Sequence, residues 1–181
     1  MDTIILSANA YLKVLERKDA VAMYERTARN RSYLKQWLPW VDAMRGPQDT
    51  ESFIISTMDL RAVNQGIHYG IWYGGQLAGT LGVHGINWAN RRTTIGYWLG
   101  EEFQGRGLMT QAVAAYIDQL IFGAWQLNRV EIAAATGNKK SRAIPERLGF
   151  TFEGVIRQNE WLYDHFVDHA IYGLLFSEWK S

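Results

Sequence analysis

The stretch Gln104-Gly105-Arg106-Gly107-Leu108-Met109-Thr110 constrains the chain more than any other. It lies between an apolar run of strand character, Thr93 to Leu99, and a long segment of helical periodicity that starts near Leu108. Two glycines two residues apart, just ahead of a helix start, let successive backbone N–H groups converge on one point with no Cβ in the way. The helix N-terminus adds partial positive charge there, and Arg106 adds a full one. The stretch therefore suits an anion such as a pyrophosphate, although an ordinary tight strand-to-helix connection reads the same way. Two named phosphate loops do not fit. The nucleoside-triphosphate loop needs a lysine that is absent, and the dinucleotide fingerprint needs a third glycine where Thr110 stands.

Around this stretch the hydrophobic period alternates between strand and helix. Ala10 to Leu15 reads as a first strand, Asp19 caps a helix running to about Asn30, and Arg31 to Trp40 reads as a short helix plus loop with an aromatic face. Asp49 or Thr50 caps a further helix that ends before Gly66. His68 to Tyr73 and Gln76 to Val83, joined by Gly74-Gly75, form a hairpin, and Arg92 to Leu99 continues the meander into the cradle. Met109, Ala112, Val113, Tyr116, Ile117, Leu120, Ile121 and Ala124 follow helical spacing and lay one apolar stripe on a sheet. Arg129 to Ala135 is a short buried strand, parallel to its predecessor through a right-handed crossover. Pro145 belongs in a helix's first turn, which sets a start near Ser141, and Gly149 closes that helix. Phe150 to Glu160 and Phe166 to Phe176 make two last strands around Tyr163-Asp164.

At 181 residues the chain suffices for one self-supporting core, burying roughly 70% of its unfolded surface. Nineteen basic against eighteen acidic residues give a net charge of +1, so the balance points to neither nucleic acid nor a membrane surface as the main ligand. With no cysteine there is no disulfide framework and no cysteine nucleophile. No signal peptide or membrane span is read in the sequence, and the expectation is a cytoplasmic protein. No histidine–carboxylate spacing suggests a metal.

The order of elements, with its motifs, resembles the GNAT superfamily of N-acetyltransferases. Gln104-x-x-Gly107 resembles the coenzyme A pyrophosphate loop Q/R-x-x-G-x-G/A, departing at Met109, where a small residue is usual. Asn138-x-x-Ser141 followed by Glu146-Arg147-Leu148-Gly149-Phe150 resembles the segment that contacts pantetheine. Together with Trp37-Leu38-Pro39-Trp40, the cradle looks most like the branch of Rim-type ribosomal-protein N-terminal acetyltransferases. The resemblance implies an α/β (α+β) GNAT fold. Its mixed, mostly antiparallel sheet would have six to seven strands, about four flanking helices and a parallel pair splayed at the centre, all in one N-acetyltransferase domain over residues 1–181. It also implies acetyl-CoA as cosubstrate and direct attack by an amine in a ternary complex. The acceptor would be a protein N-terminus or a small-molecule amine, and a non-catalytic sensor of coenzyme A is the alternative from another class.

Residue by residue, the resemblance implies that Gln104, Gly105, Arg106, Gly107, Leu108, Met109 and Thr110 hold the pyrophosphate, while Trp98, Leu99, Asn138 and Ser141 hold pantetheine. Glu160 is the candidate proton acceptor and Ser141 the candidate donor to the departing thiolate. Each has a plain alternative, a solvated carboxylate near Arg157 and a helix N-cap. Trp37, Trp40 and His84 are candidate acceptor contacts, His84 doubling as an alternative base. Trp88 and Trp161 are open to either cleft or packing roles, and Tyr97 to a second acid or core role. The aromatic content also allows a homodimer through the late strands.

Overall fold

The computed structural model describes residues 1–179. Its centre is one eight-stranded sheet in the order β1-β2-β3-β4-β5-β6-β8-β7. The strands are β1 (Thr3–Ser7), β2 (Ala10–Val14), β3 (His68–Tyr73), β4 (Gln76–Asn87), β5 (Arg92–Leu99), β6 (Arg129–Ala135), β7 (Thr151–Leu162) and β8 (His165–Leu175). All neighbours are antiparallel except β5 and β6. The strand beyond the expected six to seven is β1, whose Thr-Ile-Ile-Leu-Ser run carries apolar residues at successive positions and so hides its alternation. Ile4 is buried while Ile5 stands exposed, as a strand at the sheet's edge requires.

One layer of helices, α4 (Leu108–Tyr116) and α5 (Lys139–Arg147), covers one face with a core built on Tyr69, Ile71, Ile95, Val113, Tyr116 and Ile117. The other layer, α1 (Ala20–Arg29), α2 (Arg31–Leu34) and α3 (Pro47–Ala62), packs Met23, Leu34 and Ile54 against Leu77 and Trp98 on the opposite face. Five helices thus stand where about four were expected. Three helical boundaries also differ from the sequence reading, each for a local reason. Helix α3 starts at Pro47, whose missing N–H costs nothing at a first helical position. Asp49 then reaches back from the third position to accept the Gly46 N–H at 3.0 Å. Helix α4 does not run on as one α-helix: Ile117–Ala124 is wound as a π-helix. Its wider turn brings Gly123 against the Asp118 carbonyl, where a Cβ would sit 2.7 Å away.

Helix α5 begins at Lys139, so Pro145 lies inside it rather than in its first turn. A proline there leaves the Ser141 carbonyl without its helical donor. The Tyr97 hydroxyl donates to that carbonyl at 3.1 Å and makes the interior proline tolerable. The helix ends as expected: Gly149 has φ 79°, and the Gly149 and Phe150 N–H groups return to Glu146 and Pro145.

Between β5 and β6 the parallel pairing runs from Arg92–Arg129 to Ile95–Ile132 and then stops, while β5 continues to Leu99 and β6 to Ala135. The sheet is split at its centre from that point on. Across the lower half of β6–β8, on the α1–α3 side, Arg92, Glu131, Arg129 and Glu153 form a chain of ion pairs over Gly173.

Candidate active site

The cradle is assembled by three elements. Leu99 closes β5, a turn of 3-10 helix spans Glu101–Phe103, and Gly107 then precedes α4. Helix α1 fixes that turn from the side. Asn30 Oδ1 accepts the Glu101 N–H at 2.8 Å, and the buried Arg26 pairs with Glu102, donates to the Leu77 carbonyl at 2.8 Å and lies over the Phe103 ring. None of these contacts has a sequence signal beyond a charged residue on a helix.

Gly105 and Gly107 have φ of 74° and 71°, the left-handed region that favours glycine. A Cβ at Gly105 would meet nothing within 4 Å, and one at Gly107 only the Gln111 side chain at 3.8 Å. Backbone conformation and an open approach, rather than crowding, thus select glycine here. Helix α4 has no side-chain cap, so the N–H groups of its first turn face the opening without partners of their own. Met109 sends its side chain into the core and leaves that turn's backbone clear.

The cradle opens into a cavity of about 900 Å³ that passes through the split in the sheet. From the α4–α5 side it is lined by Gln104, Gly105, Gly107, Leu108, Met109, Thr110, Asn138 and Ser141, and along the split by Tyr97, Trp98 and Leu99. From the other side Tyr33, Leu34, Trp37 and Leu38 close it. Two basic residues, neither among the expected contacts, also line it. Lys140 donates to Gln104 Oε1 at 2.9 Å, and Arg147 donates to Thr110 Oγ1 at 2.9 Å. The signal for Lys140 was the basic run Lys139-Lys140-Ser141-Arg142, and Arg147 stood in the Glu146-Arg147-Leu148-Gly149-Phe150 stretch with no role of its own assigned. Arg106 is turned aside, its guanidinium 5.4 Å from the centre of the Tyr73 ring.

Asn138 caps α5: its Oδ1 accepts the Ser141 N–H at 3.1 Å, which leaves the Nδ2 hydrogens outside the cap in a residue that lines the cavity. Ser141 is therefore the third residue of the helix rather than its cap, and its hydroxyl is spared the capping role. The Tyr97 phenol, held by burial well above its ordinary pKa, stays protonated and serves as a donor.

Glu160 and His84 do not line this cavity; they lie on the α1–α3 face of the sheet beside the split. The His84 ring covers Gly96, the first β5 residue past the last paired one, so closely that a Cβ on Gly96 would lie 2.1 Å from Nε2. Part of the ring stays open to solvent, yet the packing around it holds His84 below the usual imidazole range, against the opposing charge of Glu160. His68 meets His84 edge-on with centroids 6.4 Å apart, and burial together with His84 lowers its pKa to about 4. Glu160 is partly exposed and stands 3.5 Å from His169 Nε2.

Trp40 packs against Trp98 behind the lining, and Trp37 lies beside Gly137 in it. Trp88 is remote, donating to the Asn64 carbonyl and meeting Trp125 edge-on. Trp161 meets Phe166 near the tip of the β7–β8 hairpin. Among the described residues no cluster of three or more histidines and carboxylates is arranged to hold a metal.

Comparison with known proteins gives concordant results. The family model described as an acetyltransferase (GNAT) domain matches residues 10–151. A putative ribosomal N-acetyltransferase of Bacillus subtilis (strain 168), YdaF, is 35% identical over 100% of this chain and 99% of its own. The ribosomal-protein-serine acetyltransferase of Escherichia coli (strain K12) is 28% identical over 94% of this chain and 95% of its own. Among solved structures, the microcin C7 self-immunity acetyltransferase MccE, in complex with acetyl-CoA and AMP, superposes with a TM-score of 0.91 at 30% identity, covering 97% of each chain.

Proposed function

The chain belongs to the acetyltransferase (GNAT) domain family and moves acetyl from acetyl-CoA to an amine, and we propose that its acceptor is the N-terminal amine of a ribosomal protein. The observation that carries this reading is the cavity through the split sheet, with an anion cradle at one mouth and Glu160 with His84 beside the other. The names of the two relatives supply the acceptor class.

Bound acetyl-CoA supplies a thioester whose acyl carbon is open to attack by an uncharged amine. In this reading the N–H groups of Gly105 to Thr110 hold the pyrophosphate, with Lys140 and Arg147 adding positive charge nearby. Nδ2 of Asn138, with Trp98 and Leu99 of the unpaired β5 edge, orients the pantetheine arm. Glu160 takes the ammonium proton, with His84, neutral at pH 7, as the second basic group in reach. An α-amine has an ordinary pKa of about 8, against about 10.4 for a lysine side chain, so a carboxylate has far less work to do on a protein N-terminus. The Ser141 hydroxyl gives a proton to the departing thiolate and regains one from solvent, while the proton lost by the amine leaves through Glu160. Trp37 and, behind it, Trp40 shape the acceptor side.

The test is turnover of acetyl-CoA, read as free thiol, with peptides copying ribosomal-protein N-termini, the same peptides with blocked N-termini, polyamines and aminoglycosides. Turnover confined to free N-termini supports the proposal. A polyamine or aminoglycoside that outpaces every peptide overturns the acceptor assignment.

The reading includes a single cytoplasmic domain working without nucleic acid or membrane. It also includes a homodimer through the late strands, supported by exposed Phe152, Val155, Ile156, Trp161 and Phe166 on β7 and β8. Sedimentation at micromolar concentration should give the dimer mass, and a monomer there would reject it.

A further inference from the structure

His169, on β8, has a largely buried side chain, 13% exposed, and faces Glu160. Its Nδ1 is 3.0 Å from Asn159 Nδ2. An amide NH2 has hydrogens to give and no lone pair to offer, so Nδ1 accepts and the neutral ring carries its proton on Nε2. That Nε2–H stands 3.5 Å from Glu160 Oε2. We propose that His169 is a positioning residue: Asn159 fixes its tautomer, and its Nε2–H holds the Glu160 carboxylate toward His84 and the split in the sheet. The inference rests on the reading of Glu160 as the proton acceptor.

The backbone is built to make this contact. Successive residues of a regular strand point to opposite faces, so Asn159 and Glu160 should not both reach one histidine. They do so because the register of β7 against β8 slips between Ile156 and Glu160. Gln158 there takes a left-handed φ of 50°, and Asp168 Oδ1 accepts its N–H at 2.7 Å, closing the bulge. Bulges that re-aim a side chain recur beside active sites. At 3.5 Å the contact is longer than an ordinary hydrogen bond, as catalytic contacts often are before both substrates are bound.

Steady-state kinetics with acetyl-CoA and an N-terminal peptide test the proposal on Glu160→Gln, His169→Ala, His169→Gln, Asn159→Leu and the Glu160→Gln/His169→Ala double variant. Glu160→Gln should lower kcat about a hundredfold or more. His169→Ala should lower kcat about tenfold through misplacement of the carboxylate, with KM for acetyl-CoA unchanged. His169→Gln, whose amide can donate from nearly the same place, should recover most of the loss, and Asn159→Leu should fall in the same direction as His169→Ala. The double variant should be no slower than Glu160→Gln alone, because His169 acts through that carboxylate; a purely structural role would multiply the two losses. Multiplied losses, or a His169→Ala enzyme as fast as the parent, overturn the proposal. Should His169→Ala fail to fold, Asn159→Leu at the exposed position carries the same comparison. A Glu160→Gln enzyme with full turnover removes both readings, whereas loss in Glu160→Gln with none in His169→Ala and Asn159→Leu removes only this one.

Discussion

At the residue scale the cradle was the most legible part of the chain, because its requirement is conformational and glycine is the residue that meets it. Gly105 and Gly107 both adopt the left-handed backbone that favours glycine, where the sequence reading expected glycine for its missing Cβ. An alanine at Gly107 would meet no clash, so its cost is backbone strain alone, about 1–2 kcal/mol. Relaxation of that strain would turn the N–H groups away from their common focus. Gly107→Ala should therefore weaken coenzyme A binding about tenfold, read by calorimetry, while the melting temperature moves by only a few degrees. A variant that binds as tightly as the parent would mean that the pyrophosphate is held elsewhere. What the sequence hid at this scale was direction. Arg106 carried the right charge in the right place and yet lies over Tyr73, whereas Lys140 and Arg147, from a helix more than thirty residues away, reach the cavity.

Among elements, β3 to β6 could be read from short strand-like runs and from the Gly74-Gly75 turn, since each has one face on the core or both faces covered. Helix α5 could not, because Pro145 suggests a later start and only a tertiary partner allows the earlier one. That partner is Tyr97, forty-four residues upstream of Ser141. Tyr97→Phe should leave the Ser141 carbonyl without a donor and destabilise the protein by about 1–2 kcal/mol. Adding Pro145→Ala restores a backbone N–H to the same carbonyl and should recover much of that loss. Urea midpoints of the two variants decide it: equal destabilisation in both would show that the tyrosine matters for packing and not for the proline. The π-helix at Ile117–Ala124 was equally hidden, its apolar stripe being compatible with either winding.

Over the whole molecule, the charge of Glu160 acts on His84 although the two are seventy-six positions apart and three strands stand between theirs in the sheet, which no local pattern announces. The same topology puts His68 beneath His84 with its Nδ1 buried and unpartnered. His68 is neutral in the fold down to about pH 4, whereas an unfolded histidine takes up a proton near 6.5. The unfolded chain therefore binds the extra proton first as pH falls. The contribution of this residue is intact above about pH 6.5, declines from there toward pH 4 and is flat below. It amounts to roughly 2–3 kcal/mol over that window. Urea unfolding at pH 7 and pH 4.5 should show the parent losing more stability than His68→Phe, which has no proton to accept; equal slopes would put the acid sensitivity elsewhere.

Because the pairing of β5 with β6 ends at Ile95–Ile132, the sheet acts as a wall with a slot in it. In the proposed reading donor and acceptor have separate doors, and neither has to vacate a shared room before the other can enter. Double-reciprocal plots of initial velocity should accordingly intersect rather than run parallel, and a dead-end analogue of the amine should leave the entry of acetyl-CoA unimpeded.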